Sequence, residues 1–147
     1  MEEESALGRA LAGGHIPSVA KAVVNHSGLR EAVFLKLLDE VDAECSKLCR
    51  RSELSAFRKV PVSDMSTFDW KVLIDELLLK APMLLQILRT LTSSSDHRNK
   101  HKSGSIHHPG ICMAASVILK ERNREMCGVQ AMISLLLFES HANKQVT

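Results

Sequence analysis

The stretch Leu29–Arg51, LREAVFLKLLDEVDAECSKLCRR, decides how the chain is read. Phe34, Leu38, Val41, Cys45 and Leu48 recur at spacings of four, three, four and three residues, the period of one apolar face of an α-helix. Leu37 widens the stripe, and Lys36, Asp39, Glu40, Asp42, Glu44, Lys47, Arg50 and Arg51 fill the remaining positions. Acids come first and bases later, which matches the helix macrodipole in sign. The pattern predicts a long amphipathic helix, packed on one side and wet on the other.

Upstream, residues 1–15 carry three glutamates and end in Gly13-Gly14, the composition of a disordered leader with at most a turn of helix around Ala6–Leu11. Pro17 suits the first turn of a short helix bearing Val19, Val23 and Val24, which Ser27-Gly28 stops. Downstream, Pro61 closes a segment and Ser66, with Asp69 three residues on, reads as a helix N-cap. Trp70, Leu73, Ile74, Leu77 and Leu78 then share a face. Pro82 opens a new helix to Leu91, apolar around most of its circumference.

Residues 93–108, SSSDHRNKHKSGSIHH, read as a flexible basic and histidine-rich linker, and Pro109 opens the next helix. Residues 109–147 form an apolar helix pair, Ile111–Leu119 and Met126–Phe138, separated by KERNRE. The predicted architecture is all-α: one domain of about five to six helices in an irregular bundle. It comprises the leader 1–15, an N-terminal helical block 16–92, the linker 93–108 and the pair 109–147.

Composition agrees. A chain of 147 residues suffices for one hydrophobic core, and 45% hydrophobic with 24% charged residues is globular usage. Aromatics are confined to Trp70, Phe34, Phe57, Phe68 and Phe138, so the core must be aliphatic, which favours helices over a β-sandwich. The acidic start MEEES has no apolar signal region after it, and the four cysteines read as reduced thiols of the cytosol or nucleus. Met126–Phe138 is too short for a membrane span, which needs about 20 residues.

Cys45 and Cys49, with His97 and His101, imitate a Cys2His2 zinc set. Their separation argues instead for core thiols and solvated histidines. Cys112 and Cys127 read as buried thiols with no local base, and His141 as a surface or C-capping residue. No phosphate-binding glycine loop, nucleophile elbow or metalloprotease motif occurs. The expectation is no enzymatic activity, no cofactor and no small-molecule substrate.

Net charge is only +2, so any nucleic-acid contact needs a local patch. Arg98, Lys100 and Lys102, joined by Arg122 and Arg124, form a candidate rim for phosphates. The last helix offers only Gln130 and Ser134 before Glu139, too few polar groups to read bases. Its Met132, Leu135, Leu136 and Phe138 instead suggest a surface for a protein partner or a second copy. Protein interaction is thus the first expectation, phosphate binding the second and zinc binding the third.

Three stretches carry a family resemblance: EVDAECSKLCRR (40–51), FRKVPVSDMSTFDWKVLIDELLLKAPMLLQIL (57–88) and ICMAASVILKERNREMCGVQAMISLLLFESHANKQV (111–146). Together they resemble a helical region of uncharacterised transposon-derived proteins of fish and invertebrate animals. Within them Cys45 and Cys49, Phe68-Asp69-Trp70, Ala81-Pro82, Lys120–Met126 and Ser140-His141-Ala142 are the most family-like. The resemblance implies an accessory helical module for assembly or DNA-associated targeting, a fragment standing upstream of a larger transposase-like part, and no activity of its own.

Overall fold

Prolines and polar caps set the helix boundaries. Pro17 occupies the first turn of its helix, and Pro82 is the first residue of another, positions where a missing N–H costs nothing. Asp69, in extended conformation, accepts a hydrogen bond from Lys71 N at 2.8 Å and caps the helix that begins at Trp70. The N-cap expected at Ser66 therefore belongs to Asp69, and Ser66 itself lies outside the described residues. Gly14 ends the first helix with a left-handed φ of 64°, a conformation glycine adopts without strain.

The computed structural model describes residues 2–59, 61, 63, 68–92 and 108–145. Among them are seven α-helices and no strand. They are α1 (Glu2–Gly13), α2 (Ile16–Asn25), α3 (Ser27–Leu48), α4 (Trp70–Lys80), α5 (Pro82–Thr92), α6 (His108–Arg122) and α7 (Gly128–Gln145), with a 3-10 turn at Arg51–Glu53. The all-α prediction holds, with more helices than predicted. The added helix is α1, because the supposed leader is helical from Glu2 to Gly13. Glu2, Glu3 and Glu4 in its first turn complement the macrodipole, a term that composition alone obscures. No helix among the described residues is long and apolar enough to cross a membrane.

The chain divides into two compact units, residues 1–40 and 41–147, so the boundary falls inside α3. In the first unit α1 and α2 pack on each other, yet no residue from Glu2 to Glu40 is buried. In the second unit α6 is central, meeting α4, α5 and α7. Ile111, Cys112, Ala115, Ser116 and Leu119 lie buried along α6, one helical face at 3.6-residue period. Leu73, Ile74 and Leu77 of α4, Leu84, Leu85 and Leu88 of α5, and Cys45 and Leu48 of α3 complete an aliphatic core with Phe57, Met126 and Val129. Phe68 and Trp70 border it edge to face, their centroids 4.8 Å apart.

The last turns of α3 are fixed to this core by a carboxylate as well as by apolar contact. Glu44 accepts from Met83 N at 3.1 Å and Leu84 N at 2.9 Å. A side chain from one helix thus caps the N-terminus of another, where free N–H groups and the positive dipole end favour an anion.

Candidate functional site

The most elaborate polar arrangement lies where α3 ends and the turn between α6 and α7 passes it. After Leu48 the chain makes the 3-10 turn and then a tight return through Ser55–Arg58. In that return Arg58 N donates to Ser55 O at 3.1 Å, and Phe57 N to Ser55 Oγ at 3.2 Å. The fully buried Phe57 ring anchors the return in the core, and Glu76 of α4 accepts from Ala56 N at 2.8 Å. Leu54 takes the bend with a left-handed φ of 47°.

Two backbone bonds join this return to the α6–α7 turn: Lys59 N to Glu125 O at 2.8 Å and Gly128 N to Phe57 O at 2.9 Å. The approach is so close that a Cβ on Gly128 would collide with the Arg58 carbonyl oxygen and lie 3.1 Å from that of Phe57. Side chains tighten the junction. Asn123 Nδ2 donates to Cys49 O at 3.2 Å, while its Oδ1 accepts from Glu125 N at 3.0 Å. Glu125 receives Arg51 on both oxygens, from Nη2 at 2.6 Å and from Nε at 3.3 Å, and Arg58 on the second of them. The second terminal nitrogen of Arg58 donates to Cys49 O at 2.8 Å. Beside them Arg122 pairs with Asp42 and reaches Ser46 Oγ at 3.4 Å.

The electrostatics follow from these contacts. The Arg51 hydrogen bond, aided by the charge of both arginines and opposed by desolvation, holds the Glu125 carboxyl below its ordinary range. Asp42 raises Arg122. Burial pushes the Cys45 and Cys49 thiols up, with the Arg122 guanidinium pulling the other way. Burial alone pushes Cys112 up to about 12. These three sulfurs therefore stay protonated at neutral pH and behave as small apolar groups. Cys49 Sγ rests 3.9 Å from Leu119 O, and Cys112 Sγ 3.8 Å from Trp70 O.

The residues singled out from the sequence fare differently. Arg98, Lys100, Lys102, His97 and His101 lie outside the described residues. Cys45 and Cys49 have no further ligand beside them, since among the described residues no group of three or more His, Cys, Asp and Glu side chains is placed to hold a metal ion. Arg122 is committed to Asp42, and Arg124 is exposed. On α7, Met132 is a correction: it is only 4% exposed and points into the core rather than to a partner. Leu135 is half-buried, whereas Leu136 and Phe138 are open, Phe138 at 71%. His141 is exposed, in keeping with its reading as a surface residue.

The long stripe needs a second correction. Cys45 and Leu48 are buried and Val41 packs on the core, but Phe34, at 57% exposure, and Leu38 are open. The same spacing therefore describes two different surfaces, a covered one and a bare one. Val33, Leu35 and Leu37 extend the bare one.

Sequence reasoning misses Glu44, Arg58, Glu125 and Gly128, whose partners lie far along the chain. Only Gly128 leaves a signal, a lone glycine between the KERNRE turn and an apolar helix. In comparison with known proteins, no family model matches the chain, and neither a curated protein nor a solved structure matches it.

Proposed function

We propose that the protein is a non-enzymatic helical interaction module that associates with a second copy of itself through the first half of α3. The observation supporting this is the apolar surface of residues 2–40, which bury no side chain yet expose Phe34, Leu35, Leu37 and Leu38 on successive turns. Exposed apolar groups favour association, at about 25 cal/mol for each Å² removed from water. A second copy suits this surface because Arg30 and Lys36 stand among Glu31, Asp39 and Glu40, a near balance of signs that avoids net repulsion between like segments. The resemblance to transposon-derived proteins fits the proposal, as an accessory part that gathers subunits.

Light scattering across a hundredfold concentration range tests it. A dimer that dissociates on dilution is expected, and Phe34→Glu with Leu38→Glu is expected to give a monomer of unchanged helix content. Persistence of the dimer in that variant but not in Leu136→Glu with Phe138→Glu would move the interface to α7. A monomer at all concentrations ends the self-association reading.

A further inference from the structure

The Glu125 junction collects more positive charge than it uses. Arg50, Arg51, Arg58, Lys59 and Arg124 all lie within one residue of a bond that joins the α3 return to the α6–α7 turn. The carboxylate at their centre is that of Glu125, while Glu53 is turned away to Lys80 at 3.5 Å. Glu121, the remaining acid of this part of α6, is exposed and adjoins Lys120. Part of such a cluster is expected where helices end, because C-terminal carbonyls attract cations. Here that demand is met: the Cys49 carbonyl already receives Arg58 and Asn123, and Arg122 at the end of α6 is neutralised by Asp42.

Arg50, Lys59 and Arg124 are left over. Their side chains are exposed and engage no hydrogen-bond or ion-pair partner among the described residues. Arg51 is bound to Glu125, but its side chain is 83% exposed. Beneath them lies Arg58, only 16% exposed, whose two terminal nitrogens are held by Glu125 and by the Cys49 carbonyl. A chain of net charge +2 thus presents a local surplus on a pre-organised surface built from two segments far apart in sequence.

We propose that this surface binds double-stranded nucleic acid through its phosphodiester backbone. Three of the four outward cations are arginines, whose planar forks match phosphate oxygens. The one aromatic of the return, Phe57, is fully buried, so the surface has no platform for stacking single-stranded bases. Binding of this kind positions the protein on a duplex without reading sequence. Of the rim expected from the sequence it keeps Arg124, and it replaces Arg98, Lys100, Lys102 and Arg122 by Arg50, Arg51 and Lys59.

Fluorescence anisotropy with a labelled 20-base-pair DNA duplex tests this on the full chain. Three to four phosphate contacts predict that affinity falls roughly 20- to 50-fold between 50 and 150 mM salt. The triple variant Arg50→Gln, Lys59→Gln, Arg124→Gln is expected to bind at least tenfold more weakly at 50 mM salt, with an unchanged melting curve. A charge-matched control, Lys21→Gln, Arg30→Gln, Lys36→Gln, is expected to stay within threefold of the parent, as is Arg98→Gln, Lys100→Gln, Lys102→Gln. Absence of duplex binding at 50 mM salt overturns the proposal, as does equal loss in the control. Loss confined to the 98–102 variant returns the contact to that stretch and equally overturns it. Binding to polyglutamate or to phosphatidylserine vesicles in preference to the duplex overturns it too, replacing nucleic acid with an acidic protein or a membrane surface.

Discussion

Residues 2–40 and residues 41–147 are both helical, both rich in aliphatic side chains, and of opposite character. The second unit buries Leu48, Leu73, Leu77, Leu84, Leu85, Leu88 and Leu119 in one core and ties its connections with carboxylates that reach from one element to another. The first has two paired helices and the start of a third, but no buried side chain. Apolar periodicity therefore specifies that a helix will form a face. It does not specify that the chain itself supplies the cover, and α3 shows both outcomes along one stripe.

The sharpest way to break this contrast is to truncate one apolar side chain in each unit. Leu77→Ala, at a fully buried site of α4, is expected to cost about 3 kcal/mol or more in urea unfolding, the usual loss when a core leucine leaves a cavity. Phe34→Ala is expected to change monomer stability by less than about 0.5 kcal/mol, although it removes a larger ring. Equal losses would show that Phe34 is covered within its own chain and would remove the distinction.

Gly128→Ala probes the junction at its narrowest point. A Cβ there runs into backbone, the Arg58 and Phe57 carbonyls, and backbone cannot swing aside as a side chain can. A loss of about 2 kcal/mol is expected in the same measurement. Gly8→Ala, in the open surroundings of α1, is expected to stabilise slightly, by up to about 1 kcal/mol of helix propensity. The pair carries the comparison from side chains to backbone.

Glu44→Ala removes the carboxylate that caps α5 from α3. The expected cost is about 1 kcal/mol, that of a lost N-cap, and amide exchange at Met83 and Leu84 is expected to quicken before any other part of α5. Glu40→Ala, four residues earlier and exposed, serves as its counterpart in the first unit and is expected to change little. The smallest effect concerns Leu54, 85% exposed with left-handed φ. Leu54→Gly relieves the strain of a branched side chain in that region, and after the entropic cost of glycine about 0.5 kcal/mol of net stabilisation is expected. Destabilisation would show that the leucine is held by something its exposure does not reveal.

The legible part of the fold is the part governed by neighbours in sequence. Pro82 announces the start of α5 through its own lack of an N–H, and the stripes of α4 and α5 follow from spacing. Residues 1–15 mislead because a glutamate-rich opening with two glycines resembles a tether, although the same glutamates stabilise the first turn of α1. Met132 misleads for a related reason: α7 is apolar on most sides, so periodicity cannot tell its inward face from its outward one.

The candidate site is almost wholly illegible in the sequence. Glu125 and Arg51 are 74 positions apart, and no rule of local spacing connects them. By itself the sequence determined that this chain is helical, that its core is aliphatic, and where most helices begin, because propensity, proline geometry and apolar period act over a few residues. Only tertiary structure decided which half of α3 is covered and which cations gather around Glu125. Those outcomes depend on which distant groups arrive at the same place, and burial and charge pairing are properties of that meeting rather than of either residue.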